Sequence, residues 1–227
     1  MSERLSMSLV MFWLVVVVIM SLSATGLAEW LASESVSDDP APKRLSGWNH
    51  WGIATDGEGN WHIVWIDHRD HDQVYYRKYV PGLGWESEEE KVSPYWPALE
   101  PAIAVDDEGN VHVVWWVYGG GFGEIYCRQK SVTAGWDSVI TRLDNPDLDE
   151  FSPSIAVDSE GNVHVVYTKQ RVLGYEIRYV MKDRVEGWQQ GYIISQGDGV
   201  ESSYPTICVD RDDNLHVVWI GGDTNGP

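Results

Sequence analysis

Residues 101–115 read PAIAVDDEGNVHVVW, and the same line recurs as WGIATDGEGNWHIVW at 51–65, PSIAVDSEGNVHVVY at 153–167 and PTICVDRDDNLHVVW at 205–219. The Asp that closes each first half stands at Asp56, Asp106, Asp158 and Asp210, so the period is 50, 52 and 52 residues. Repeats of that length are blades or solenoid turns. Within one copy, Ile103 and Val105 face one way and Ala102 and Ala104 the other, as in a strand packed on both faces. Asp106-Asp-Glu-Gly109-Asn110 then reads as a tight turn. Gly109 supplies the positive φ, and Asp and Asn satisfy local backbone groups. In the fourth copy Asp213 replaces that Gly, which predicts strain.

Working outward, Val111–Trp115 is a second strand, and Gln73–Arg77, Glu124–Arg128 and Glu176–Val180 are third strands. Connections ending in Gly84-Trp85, Gly135-Trp136 and Gly187-Trp188 lead to a fourth, seen at 138–143 and 192–195. Four short antiparallel strands per repeat make an all-β fold, a β-propeller of four-stranded antiparallel blades. The blades are expected at about 51–93, 101–143 and 153–195, with a half-blade at 204–220, about three and a half in all. That number does not close a ring. The leading expectation is the front part of a longer propeller; two chains meeting to give about seven blades, and a stable open arc, follow in that order. Lys43–Ser46 is expected to be an outer fourth strand for a last blade.

Composition fits this reading. The chain holds 13 Trp, 11 Tyr and 22 Gly, a turn-and-strand vocabulary. A formal charge of −19 argues against nucleic acid and anionic membrane surfaces as partners. Arg4 followed by the apolar run Leu9–Met20 and a small-residue stretch to Ala28 predicts an export signal over residues 1–28, with a retained N-terminal anchor as the alternative. The protein is then secreted or held at the cell surface, and an anchor is its one route to a membrane. Residues 29–42 read as a flexible leader into a folded part spanning 43–227. Cys127 and Cys208 occupy different repeat positions and are expected to be buried thiols rather than a disulfide.

The run P-x-I-A-V-D-x-x-G-N-x-H-V-V-W at 101–115 and 153–167 resembles the repeats of exported sialidase-like propellers of the BNR-repeat type. The resemblance covers residues 51–220 and is architectural. The family's Asp-box reads S-x-D-x-G-x-x-W, whereas here Gly follows Asp by three residues. No Arg-Ile-Pro segment, and no set of three Arg with a Tyr–Glu pair, falls at matching positions. No catalytic residue is carried over.

His62, His112, His164 and His216 recur at one position. Their sheets lie about 10 Å apart, too far for a shared metal, so each His is read as a structural hydrogen-bonding residue. The Asp–Asn turns offer oxygen ligands to calcium but lack the alternating acidic positions of a calcium loop; turn chemistry accounts for them, and no cofactor is expected. Function is sought instead in the loops that differ between copies, on the face opposite the D-x-x-G-N turns. Those loops carry Tyr95, Trp96, Trp116, Tyr118, His68, Arg69 and Asp70 as candidate ligand-binding residues. His68 and His71 with Asp67, Asp70 and Asp72 form the densest cluster, read as a solvated loop rather than a metal site. Aromatic faces beside carboxylates and an Arg suit carbohydrate. The expected function is a non-catalytic exported module binding glycan or an extracellular protein. The rivals are a sialidase-like glycoside hydrolase fragment lacking part of its active site and a structural cell-surface repeat protein.

Overall fold

Each copy of the repeat forms an antiparallel sheet in the computed structural model, which describes residues 16–17, 20–22, 28–30, 34–40, 43–44, 52–95, 97–119, 121–143, 148–172, 174–195 and 201–222. Two short pairs come first: β1 (Val16–Val17) with β4 (Glu34–Ser35), and β2 (Met20–Leu22) with β3 (Ala28–Trp30). Sheet I follows. Its strands are β5 (Lys43–Arg44), β6 (Ile53–Thr55), β7 (Trp61–Asp67), β8 (Gln73–Val80), β9 (Gly84–Trp85) and β10 (Glu90–Lys91), with β5 and β6 on one edge of β7 and β9 and β10 on the far edge of β8.

Sheet II repeats the plan with β11 (Ala98–Val105), β12 (Val111–Gly119), β13 (Phe122–Ser131), β14 (Gly135–Trp136) and β15 (Thr141–Arg142). Sheet III does so with β16 (Glu150–Val157), β17 (Val163–Gln170), β18 (Tyr175–Asp183), β19 (Gly187–Trp188) and β20 (Tyr192–Ile193). Sheet IV consists of β21 (Glu201–Val209) and β22 (Leu215–Gly222). Among the described residues the one helical element is a 3₁₀ turn at His68–Asp70, and no helix is long and apolar enough to cross a membrane.

The alternation of large and small side chains sets the stacking. Ile103 points at sheet I and packs with Val64, Val74 and Tyr76, while Ala102 and Ala104 admit Ile155 of sheet III from the other side. Ala156 in turn faces Ile207 of sheet IV. Small residues on one face let the next sheet approach closely. The Gly-Trp residues join sheets as well, since Trp136 of sheet II meets Tyr76 of sheet I edge-on at 5.5 Å between centroids.

Four expectations are corrected. Lys43–Arg44 is not an outer strand: it pairs with Asp67 and Ile66 of β7, continuing the innermost position above β6. The first strands begin at 98, 150 and 201, ahead of the quoted repeat, because two residues in sheets II and III and three in sheet IV pair before a bulge that puts Glu100, Ser152 and Tyr204 at φ 48, 52 and 55°. Part of the stretch read as a flexible leader is packed, with Val36 fully buried against Ile63, Trp65 and Tyr75. Of the two free thiols Cys127 is buried but Cys208 is exposed, since among the described residues no sheet packs on the outer side of sheet IV. Most of residues 1–28 lie outside the described residues.

Candidate ligand-binding face

The two faces of the stack are built differently. On the D-x-x-G-N face every turn is closed by the same bonds. Asp106 Oδ1 accepts from the backbone N–H of Glu108 at 3.1 Å and of Asn110 at 2.8 Å, Asn110 Nδ2 donates to Oδ2 at 2.9 Å, and Gly109 sits at φ 82°. The recurrent His residues belong to these turns. His62, His112, His164 and His216 each place Nε2 on the Asp six residues before, at 3.1, 3.4, 3.0 and 2.8 Å. The other nitrogen meets Tyr76 in sheet I and Tyr179 in sheet III, both at 2.8 Å. In sheet II Cys127 stands at that register position, and His112 Nδ1 has no hydrogen-bond partner.

These bonds shift the titrations. Burial alone would raise the Asp106 carboxyl, but hydrogen bonds from His112 and Asn110 outweigh it and hold the group at about 2. Asp56, Asp158 and Asp210 are likewise held below the usual carboxylate range by their Asn and His partners. Burial lowers His62 and pushes the Tyr179 phenol up to about 12. In the fourth turn, Asp213 at φ 60° accepts from Ser159 N at 2.9 Å and Ser159 Oγ at 2.5 Å, so the non-glycine turn is tied to sheet III.

The opposite face carries the differing loops. Trp116 sits between Tyr118, 6.0 Å away, and Phe151, 6.4 Å away; Phe151 in turn meets Tyr175 at 5.4 Å and Tyr204 at 6.0 Å. These rings come from sheets II, III and IV and form one continuous aromatic surface. Tyr118 is 52% exposed and Tyr204 36%. Polar groups flank it in fixed positions. Glu150 is buried against Lys169 Nζ at 3.0 Å, Asp149 Oδ1 accepts from Gly123 N at 2.8 Å, and Glu100 Oε2 accepts from Ser152 N at 2.8 Å and Ser152 Oγ at 3.1 Å. Gly123 is required here: a Cβ would lie 2.1 Å from Trp116 Nε1 and 2.4 Å from the Glu150 carbonyl oxygen.

The sequence candidates divide. Trp116 and Tyr118 are members of the surface. Tyr95 is half exposed and packs on Tyr126 at 5.5 Å; Trp96 lies outside the described residues. Arg69 is engaged within the fold, with Nη2 donating to Asp67 at 2.6 Å, to Ser37 Oγ at 3.3 Å and to Glu89, and its guanidinium 4.3 Å from the Tyr75 centroid. Its loop is not simply solvated, because Asp67 is fully buried and also accepts from Trp65 Nε1 at 3.1 Å. His68 pairs with Asp72, and Asp70 closes the 3₁₀ turn. Sequence reasoning places Phe151 among the aromatics of this face but does not select Tyr175 or Tyr204 for the site. Phe151 precedes the bulge residue Ser152 and Tyr204 is itself the bulge residue, each bulge being followed by Pro153 or Pro205, and that repeated bulge was the available signal. Among the described residues no group of three or more His, Cys, Asp or Glu is arranged to hold a metal.

No known family model and no curated protein matches the sequence. Solved structures match in shape. A protein of unknown function from Dyadobacter fermentans has a TM-score of 0.54 at 9% identity, covering 80% of this chain and 66% of its own. An endo-arabinase from Bacteroides thetaiotaomicron has 0.51 at 13%, covering 84% and 76%, and an intramolecular trans-sialidase from Ruminococcus gnavus 0.53 at 11%, covering 87% and 44%. At these identities the likeness shows the fold alone, an all-β architecture of the β-propeller kind. The chain spans 66% of the first of these proteins and less than half of the third.

Proposed function

We propose that this chain is a non-catalytic, exported propeller module that binds glycan on its differing-loop face. The observation that carries the reading is the continuous aromatic surface of Trp116, Tyr118, Phe151, Tyr175 and Tyr204, contributed by three successive sheets. Aromatic faces cover the apolar faces of sugar rings, and flanking polar groups fix the hydroxyls. Rings held by neighbouring sheets are positioned before ligand arrives, which limits the ordering cost of binding. Similarity in fold to an endo-arabinase and a trans-sialidase supports a glycan as the ligand class. Export rests on the apolar N-terminal run.

A glycan array probed with the purified chain tests this. Phe151→Ala and Tyr204→Ala should each weaken a positive glycan about tenfold, the loss of one ring contact, with the β-sheet circular dichroism unchanged. An array blank across neutral and acidic glycans would refute the reading in favour of a structural or protein-binding role. The hydrolase reading is favoured by the enzyme activities of those same neighbours. Turnover of fluorogenic arabinofuranosides or sialosides by the chain would establish it.

A further inference from the structure

The third strands of sheets I, II and III bring one side chain each to the recurrent His. Val64 lies opposite Tyr76, Val114 opposite Cys127 and Val166 opposite Tyr179. The Tyr76 and Tyr179 hydroxyls meet His62 and His164 Nδ1 at 2.8 Å, with ring centroids 5.9 and 6.0 Å from the imidazoles. A thiol in that place is too short. His112 is 3% exposed, yet its Nδ1 has no hydrogen-bond partner. Buried polar groups are paired almost without exception, so this one calls for a partner from outside the chain.

The ring's other nitrogen sets the direction of the bond. Asp106 is a carboxylate at neutral pH and can only accept, so Nε2 carries a proton. In the neutral imidazole Nδ1 is then the acceptor, and it requires a donor such as the phenol hydroxyls of sheets I and III.

The surroundings for a ring are already built. Tyr76 lies beneath Lys130, whose Nζ is 4.7 Å from the ring centroid, and meets Trp136 edge-on. Sheet III repeats both groups. Lys182 stands opposite Val163 as Lys130 stands opposite Val111, and Trp188 stands opposite Lys182 as Trp136 stands opposite Lys130. Trp188 packs on the cluster that holds Cys127, Val163 and Val180. Between sheets II and III a cavity of about 220 Å³ is lined by His112, Gln129, Val163 and Lys182, with the ion-paired Glu108 and Arg184 on its outer side. An engineered cavity of about 150 Å³ admits benzene. Lys182 Nζ donates to Gln129 Oε1 at 2.6 Å, which holds the ammonium on the cavity wall.

We propose that the cavity between sheets II and III is a binding site for a small phenol. The ligand hydroxyl donates to His112 Nδ1, its ring takes the position that Tyr76 and Tyr179 fill from their own strands, and Lys182 covers the ring face. Bound phenol completes the core where Cys127 stops short, and it stabilises the stack in proportion to its occupancy. The site lies on the D-x-x-G-N face and is independent of the glycan reading.

Calorimetric titration of the full-length chain with phenol, and with toluene as a ring of similar size without the hydroxyl, tests this. Phenol should bind at one site per chain, and toluene about tenfold more weakly, the loss of one buried hydrogen bond. Cys127→Tyr supplies the phenol covalently, so it should raise the melting temperature and abolish phenol binding, whereas Cys127→Ala should retain it. In the wild-type chain, which does not depend on either variant folding, phenol should move the NMR signal of His112 Nδ1 and leave those of His62 and His164 in place. The proposal is overturned if phenol at millimolar concentration does not bind, if toluene binds as tightly, if a folded Cys127→Tyr chain still binds phenol, or if binding leaves the His112 signal unmoved.

Discussion

Substituting Asp106→Asn removes one charge from a turn whose geometry is otherwise kept. Oδ1 can still accept from the backbone of Glu108 and Asn110, but an amide nitrogen would then face two donors, Asn110 Nδ2 and His112 Nε2. In the folded chain Asp106 titrates at about 2 against an ordinary value of 3.8. A carboxyl lowered on folding contributes stability that is fully present above the unfolded value and is lost as pH falls through the folded one. At about 1.4 kcal/mol per pH unit, the shift is worth about 2 kcal/mol at pH 7, about 1 at pH 3 and a few tenths at pH 2. Partial exposure of the turn makes these upper values.

The assay is urea unfolding of wild type and Asp106→Asn at pH 7 and pH 3, comparing the difference between the two proteins at each pH. That difference cancels the parallel titrations of Asp56 and Asp158. The expected gap is about 2 kcal/mol at neutral pH, or about 4–8 °C in melting temperature for a chain of this size, and roughly half that at pH 3. An equal gap at both values would show that the turn is stabilised by shape and not by the carboxylate charge, refuting the electrostatic account of all four turns.

Tyr179→Phe should cost about 1–3 kcal/mol in the same assay, because it leaves His164 Nδ1 buried without the phenol it meets at 2.8 Å; a loss under half a kcal/mol would mean that ring tolerates what His112 already shows. Gly123→Ala should destabilise by about 1–3 kcal/mol through overpacking and abolish binding of any glycan found on the array, since Trp116 must move away from a Cβ at 2.1 Å. Retained affinity would place the ligand elsewhere.

The fold was legible where one residue type has one physical job. Gly59, Gly109 and Gly161 at φ 80–82° close turns that the D-x-x-G-N spelling announces, and alternation of Ile103 with Ala102 and Ala104 gives the direction of stacking before any coordinates. What escaped were contacts without a local signature. Nothing adjacent to Val36 in sequence marks it as buried, because its partners Ile63, Trp65 and Tyr75 lie 27 or more residues away. Arg69 looked like a ligand-binding group since sequence shows its charge but not Glu89, twenty residues on, which takes it up. The aromatic surface was half legible for the same reason. Trp116 and Tyr118 stand two residues apart at the end of one strand, whereas Tyr175 reaches Phe151 across sheet III and Tyr204 reaches it only through the stacking of sheet IV on sheet III.

The bulge on the first strands of sheets II, III and IV shows how a uniform frame can carry a varied face. Glu100, Ser152 and Tyr204 occupy one structural position, each in the left-handed region and each followed by Pro. Non-glycine residues there cost on the order of 1 kcal/mol or more apiece, and a glycine would avoid that cost. A glycine would also leave no side chain, and these side chains are in use: Glu100 binds Ser152 of the next sheet, and Tyr204 packs on Phe151. The bulge re-aims the strand at the rim, so backbone strain sits on the face where the sequence differs between copies. On the opposite face the shared turns place glycine at the left-handed position in three of four copies, and Asp213, the exception, is tied to Ser159. Strain left unrelieved on one face and relieved on the other separates the varied rim from the repeated one in this chain, and at Glu100 and Ser152 the strained positions also carry the bonds that join sheet II to sheet III.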